Sequence, residues 1–185
     1  MKFPKIETNR LLLAEILQDD ALGIFELFSN QSVIEYYDLE AFTTTDQARD
    51  LIRLFRSRYE ASVGIRWAIH LKGTNTFIGT CGFNSWSSQM RNAVIGYDLM
   101  PTFRGNGYAT EAVHAIIQAA FSGKLACGRL NRIQADTIPG NHASEALLGK
   151  LGFKEEGLRR ESSYWKNSFH DLKCFGLLQS EFNEA

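Results

Sequence analysis

Hydrophobic positions along this chain alternate between short unbroken runs and longer stretches spaced at three and four residues, a pattern that predicts strands interrupted by helices. The run Arg10–Leu17 suits a buried strand. Leu22, Phe25, Leu27 and Phe28 then fall at near-helical spacing behind Asp19 and Asp20, which complement a helix N-terminus, and this helix ends near Asn30. Residues 30–45 lack periodicity and carry no lysine or arginine, so they read as a covering or functional loop. Thr45 is expected to cap a second helix whose apolar stripe is Ala48, Leu51, Ile52, Phe55 and Tyr59. Strand-like runs follow at Arg66–Leu71, Phe77–Trp86 and Ala93–Met100, an antiparallel meander closed by Pro101. A Gly-rich loop over Arg104–Gly107 leads into a helix bearing Ala112, Val113, Ile116, Ile117 and Ala120. Arg132–Ile138 reads as a strand, Asn141–Leu151 as a helix stopped by Gly152, and Lys154–Ser162 and Asp171–Leu178 as final strands. Seven strands and four helices in this order predict an α/β protein built on a mixed sheet.

Composition narrows the class. The 185 residues, 44% apolar and 22% charged, suit one globular domain over 1–185, with no linker or internal repeat to divide it. Twenty basic against 21 acidic residues give a net charge of −1, which supplies no general field for nucleic acid or an anionic membrane. Cys81, Cys127 and Cys174 are widely spaced and odd in number, matching neither a disulfide framework nor metal ligation. With no leader-like or membrane-spanning stretch, a cytoplasmic protein without a metal is expected. Oligomeric state is left open.

Candidate chemistry concentrates where the third meander strand runs through Arg104-Gly105-Asn106-Gly107-Tyr108-Ala109 into a helix. Unpaired backbone N–H groups at a helix start carry the positive dipole end, and glycine lets an anion approach them closely. The loop has neither the nucleotide-kinase nor the dinucleotide spelling, so on its own it is either an anion cradle or a tight turn.

Agreement at distant positions decides between these. Arg104–Ala109 resembles the R/Q-x-x-G-x-G/A motif of the GCN5-related N-acetyltransferases, and Thr110-Glu111-Ala112 continues as in their ribosomal-protein-acetylating branch. Asn141-His142-Ala143-Ser144 with Leu151-Gly152-Phe153-Lys154-Glu155-Glu156-Gly157 is similar to that branch's N-x-x-S…LGF-x-x-EG stretch, and Thr8-Asn9-Arg10-Leu11-Leu12-Leu13 to its opening T-x-R-L-x-L. The resemblance implies a mostly antiparallel sheet whose middle strands splay apart around acetyl-CoA. It implies that Leu99 and Met100 offer backbone groups to pantetheine, that amides of Arg104, Gly105, Asn106, Gly107, Tyr108 and Ala109 hold the pyrophosphate, and that Asn141 bonds the pantetheine arm. Asn141 equally suits a helix N-cap, and Lys150 either nears the 3′-phosphate or is solvated.

The resemblance implies an amine acceptor, on a protein N-terminus or a small molecule. By the same resemblance Ser144 protonates the departing thiolate; the alternative is a first-turn serine bonded to backbone. Many relatives place a glutamate in an E-I-G-Y pattern before the loop, but Ala93-Val94-Ile95-Gly96-Tyr97 has Val94 there. At pH 7 an α-amine is roughly one-tenth neutral, whereas a lysine is neutral in about one molecule per 2,500, so a missing base favours an α-amine or small amine. Asp98 reaches the site only if its strand bulges, and His142, His70, His114 and His170 read as bystanders. Tyr164 and Trp165, between the last two strands, are unassigned. In this fold the connection between the first two helices commonly lines the acceptor pocket. Here it carries Glu35, Asp38, Glu40 and Asp46 with Tyr36, Tyr37 and Phe42, suited to a cationic amine or simply solvated. Three readings follow: an N-terminal α-amine acetyltransferase acting on a ribosomal or other protein, a small-amine acetyltransferase for a polyamine, aminoglycoside or amino acid, and an acyl-CoA-binding sensor without turnover.

Overall fold

The protein, seen in a computed structural model that describes residues 3–182, places eight strands in one sheet and five α-helices around it among those residues. In chain order these are β1 (Ile6–Glu7), β2 (Leu11–Glu15), α1 (Ala21–Ser29), α2 (Gln31–Ile34), α3 (Thr45–Glu60), β3 (Ile65–Leu71), β4 (Phe77–Ser87) and β5 (Asn92–Leu99). Then come α4 (Tyr108–Phe121), β6 (Arg132–Thr137), α5 (His142–Lys150), β7 (Lys154–Trp165) and β8 (Ser168–Leu178). None of the helices among the described residues is long and apolar enough to cross a membrane.

Departures from the sequence pattern have local causes. Two elements are too short to leave a periodic signal: the two-residue β1 and the single turn α2, whose cap Asn30 accepts a bond from the Ser32 amide at 3.0 Å. Thr45 is not the cap of α3 but its first helical residue. Thr44 caps the helix, its amide donating to the Gln47 side chain at 3.0 Å, so the reciprocal partner sits three residues on. The last two strands run on to Trp165 and Ser168 because Lys166 and Asn167, at φ 49° and 58°, make a two-residue turn with both residues left-handed. Tyr164 and Trp165 therefore belong to β7. This edge strand is largely exposed and polar, which is why hydrophobic alternation failed to mark its end.

The sheet order is β1-β2-β3-β4-β5-β6-β8-β7, antiparallel throughout except between β5 and β6. That parallel pairing covers only Asn92–Val94 against Arg132–Gln134. Beyond it β5 turns away, and the middle of the sheet opens. A bulge in β4 sits at the same level: Phe83 pairs with Ile95 and Ser85 with Val94, which leaves Asn84 as the extra residue opposite the point of departure. A bulge bends and twists its strand pair, and this one lies at the level where the sheet opens.

Each face of the sheet carries its own core. Trp67, Ile69, Ile78 and Ile95 pack with Val113, Ile116 and Ile117 of α4 and Leu148 of α5. On the other face Ala68 packs with Ile24, Leu27 and Phe28 of α1, Ile34 of α2, and Ala48 and Ile52 of α3. Phe28 is fully buried with Tyr37 and Phe42 ring centroids at 5.4 and 5.6 Å, so this second core holds residues 35–43 against the sheet. Phe28→Ala is expected to lower unfolding free energy by about 3–5 kcal/mol, read by urea denaturation, through lost burial and an unfilled cavity.

Candidate active site

Where β5 leaves β6, the sheet opens into a cleft of about 680 Å³ lined by residues from β5, β6, α5, the start of α4 and residues 32–38. Side-chain and backbone direction along β5 decide what it presents. The Met100 amide donates to the Ile78 carbonyl at 2.9 Å and its own carbonyl accepts from Phe103 at 3.0 Å, so both of its backbone groups are spent within the protein. Backbone groups alternate sides along a strand, so Asp98 and Gly96 also bond toward β4, while Tyr97 and Leu99 point theirs into the opening. Of the expected pair, Leu99 faces the opening and Met100 does not, and Tyr97 faces it as well. Met100 lies against the α1 and α3 core instead.

The glycine turn forms one end of the cleft. Gly105 and Gly107 have φ of +80° and +78°, a left-handed conformation that glycine adopts without penalty, and a Cβ on Gly105 would meet nothing within 4 Å. Gly107 is the N-cap of α4, so the free amides of the first helical turn open onto the cleft alongside Tyr108, Ala109 and Thr110. Asn106 does not line the cleft; its side chain closes the turn onto the Phe103 and Arg104 carbonyls at 3.3 and 3.2 Å. The Arg104 guanidinium reaches the Leu99 carbonyl at 3.4 Å and the Ser32 carbonyl at 3.2 Å, joining the turn to α2.

Two motifs a hundred residues apart meet behind this turn. The Glu111 carboxylate accepts from the Thr8 hydroxyl at 2.6 Å and from the Arg10 amide and Nε at 2.9 and 2.6 Å. Arg10 also donates to the Asn106 carbonyl at 3.0 Å and lies over the Tyr108 ring at 4.5 Å. Partial burial pushes the Glu111 carboxyl up, but the bonds from Thr8 and Arg10 outweigh it and hold the group below its ordinary range. The N-terminal Thr8–Arg10 stretch therefore braces the helix start.

Across the cleft, Asn141 caps α5 by accepting the Ser144 amide at 3.2 Å, and both residues line the opening. Among the described residues the Ser144 hydroxyl has no protein partner, which departs from a serine bonded to helix backbone. The Tyr97 hydroxyl donates to the Ser144 carbonyl at 3.4 Å, and burial pushes it up to about 12, so it stays protonated at neutral pH. Thr137, at the open end of β6, has a buried hydroxyl on the cleft wall with no partner among the described residues. Lys150 lines the cleft and is exposed.

Glu35, Tyr36, Tyr37 and Asp38 form the opposite rim, whereas Glu40, Phe42 and Asp46 do not reach it; Phe42 is in the core and Asp46 pairs with Arg49 at 2.8 Å. Lys166 donates to the Ile34 carbonyl at 2.7 Å and Trp165 lines the cleft, so the β7–β8 hairpin closes this side. Trp165 stacks on His170 at 4.3 Å. His70 is buried beside Asp20 at 3.1 Å, His114 packs on Phe182, and His142 is exposed, so none of the four histidines lines the cleft. Asp98 does line it, and without any bulge in β5; sequence reasoning tied its access to a distortion that occurs instead at Asn84 of β4.

The sequence profile of the Acetyltransferase (GNAT) domain family matches residues 10–154. The chain belongs to this family. It is 38% identical over 177 residues to the uncharacterized N-acetyltransferase YoaA of Bacillus subtilis, covering 96% of this chain and 98% of the relative. It is 36% identical to the uncharacterized N-acetyltransferase p20 of Bacillus licheniformis, covering 95% and 96%. Among solved folds, a GNAT-family acetyltransferase from Bacillus anthracis superposes with TM-score 0.84 at 23% identity, covering 96% of this chain and all of that one. The RimL ribosomal L7/L12 α-N-protein acetyltransferase superposes with TM-score 0.84 at 19% identity, covering 96% of each chain.

As a GNAT acetyltransferase the protein is an acyltransferase whose donor is acetyl-CoA. The cleft suits that molecule: open space over Gly105, free helix amides for phosphate, the backbone of Tyr97 and Leu99 turned into the opening for a chain of amides, and a buried Thr137 hydroxyl with no partner among the described residues. Gly107→Val forces a β-branched residue into the left-handed region, a cost of about 1–2 kcal/mol, and puts methyl groups beside the helix amides. Calorimetry should show acetyl-CoA affinity reduced about tenfold or more, while scanning calorimetry shows the domain still folded with a Tm lower by only a few degrees.

Proposed function

We propose that this single-domain enzyme acetylates the N-terminal α-amine of a protein, a ribosomal protein being the leading class, by direct attack of the amine on the thioester. The observation that carries the reading is the cleft itself, which joins the free edge of β5 to an open rim bearing Glu35 and Asp38 with Tyr36 and Tyr37. A wide, acidic and aromatic mouth favours a cationic amine at the end of a longer chain. Val94 adds to it: no carboxylate stands at the position where many relatives carry one, and an α-amine needs less help to lose its proton than a lysine. The fold likeness to RimL supports the ribosomal class, and three free cysteines suit a reducing cytoplasm.

In this reading Gly105, Gly107, Tyr108 and Ala109 hold the pyrophosphate on backbone amides, Tyr97 and Leu99 pair with the pantetheine arm, and Asn141 both caps α5 and bonds that arm. Acetyl-CoA supplies the activated acetyl group. The Ser144 hydroxyl, free of protein partners, donates to the sulfur as the C–S bond breaks and charge gathers there. Glu35 and Asp38 draw the ammonium toward the mouth.

A panel of acceptors mixed with acetyl-CoA, read by thiol release, tests the class: peptides with free α-amines, matched lysine peptides blocked at the N-terminus, and polyamines. Peptide α-amines should show the highest kcat/KM at neutral pH. Higher values for lysine peptides or polyamines would replace the acceptor, and no turnover with any amine would leave only a binding protein. Ser144→Ala should lower kcat by about ten- to a hundredfold with acetyl-CoA affinity nearly unchanged, because a thiol of pKa near 8.5 leaves with modest help. Equal losses in kcat and affinity would make Ser144 a positioning group.

A further inference from the structure

With Val94 in place of an acid, the enzyme still has to take a proton from the attacking amine, and four carboxylates line the cleft: Glu35, Asp38, Asp98 and Asp136. Asp136 is paired with Arg159 at 2.5 Å. Glu35 and Asp38 are exposed on the rim, where water solvates them. Asp98 alone of the four is buried, on the face of β5 opposite α4.

Its surroundings are built rather than incidental. Arg66 crosses the sheet beneath the cleft, donating through Nε to the Thr80 hydroxyl at 3.0 Å, through Nη1 to Asn84 of the bulge at 3.1 Å, and through Nη2 to Asp98 Oδ2. The Thr80 hydroxyl donates to the same Oδ2 at 3.1 Å. Gly96 makes this crossing possible, since a Cβ there would sit 2.7 Å from Arg66 Nη1. Both protein bonds to the carboxylate fall on Oδ2, and among the described residues Oδ1 has none. Asp98 lines the cleft, although its side chain is only 4% exposed. Arg66 itself does not line the cleft; it lies under Asp98 and orients it.

We propose that Asp98 is the catalytic base, its Oδ1 accepting a proton from the bound acceptor ammonium while Arg66 and Thr80 hold Oδ2. The amine approaches from this face because the α4 and α5 side is filled by core. The ammonium gives one proton to Asp98, leaving a neutral amine and a carboxylic acid. The nitrogen lone pair then forms the C–N bond at the thioester carbonyl carbon, and the C–S bond breaks with its electron pair passing to sulfur. The second N–H proton goes to the thiolate through Ser144, and Asp98 releases its proton to solvent. One amide, one thiol and one proton are the products. Burial pushes the Asp98 carboxyl up, Arg66 and Thr80 pull it part of the way back, and it stays above the ordinary aspartate value. The groups facing it are Arg66 from β3, Thr80 from β4, and Tyr37 and Asp38 from the rim, with Cys81 of β4 nearby in the core on the α4 side; burial also pushes the Tyr37 hydroxyl up, and the nearby Asp98 charge adds to this.

The proposal rests on acetyl-CoA lying in the opened sheet, and the two fail separately. Calorimetric binding of acetyl-CoA to the wild type tests the placement; kinetics test the base. With the amine of the panel that turns over fastest, Asp98→Asn should keep acetyl-CoA affinity and lose kcat by about a hundredfold or more. A base must be unprotonated, so wild-type kcat should fall as pH drops through the Asp98 value, and this acid limb should vanish in the asparagine variant. Because that change leaves Arg66 without its counter-ion and can unfold the domain, Thr80→Val is the second arm. It keeps shape, removes one bond that stabilises the carboxylate, and should move the acid limb of kcat upward by about one pH unit. A folded Asp98→Asn enzyme within threefold of wild-type kcat, or an acid limb unmoved by Thr80→Val, overturns the assignment.

Discussion

The whole arrangement depends on β5 and β6 pairing for only three residues and then parting. Parallel strands normally satisfy each other's backbone groups along their length, and abandoning that ladder inside a sheet is costly unless something else fills it. Here the extra residue Asn84 in β4 stands opposite Val94 and Ile95, so bending is imposed at the level where β6 is released. β6 keeps its other side fully paired with β8, from Arg132 to Thr137, and does not follow. The result is a slot with strand-like hydrogen-bonding groups on its wall, the kind of edge to which an extended chain adds as a further strand.

Both ends of that slot are stiffened by contacts far apart in sequence. Glu111 collects Thr8 and Arg10, so the first strand region is clamped to the first turn of α4 just behind the glycines. An anion cradle made of backbone amides is selective only if those amides are held in place beforehand. At the other end Lys166 in the hairpin turn bonds Ile34, which ties the last two strands to the acidic rim.

Beneath the rim, Arg66, Thr80 and Asp98 form a buried charged group, with Asn84 exposed at its edge. Such groups cost desolvation, and hydrophobic residues would fill the same space more cheaply. Arg66 bonds both the bulge that opens the sheet and the carboxylate at the opening, so one side chain couples the shape of the cleft to its electrostatics. That coupling is a physical reason for a buried ion pair to occupy a place that packing alone does not require.

Much of this was legible in the residues taken in order. Apolar spacing set the strands and helices, Gly105, Gly107 and Gly152 marked turns that demand left-handed backbone, and Asn141 announced a helix start, because propensity, periodicity and capping act over a few residues. The family motifs were legible for the same reason, as strings. What tertiary structure alone decided was which groups are free. Leu99 faces the slot and Met100 does not because of a single ladder bond to Ile78. Asp98, an ordinary polar residue on an alternating strand, becomes a buried, paired carboxylate because Gly96 admits Arg66 from two strands away. Thr44 rather than Thr45 caps α3, and Trp165 reaches the cleft because a two-residue turn extends β7. Burial, charge pairing and the loss of a strand partner are sums over residues distant in sequence, so they arise only when the chain has closed on itself.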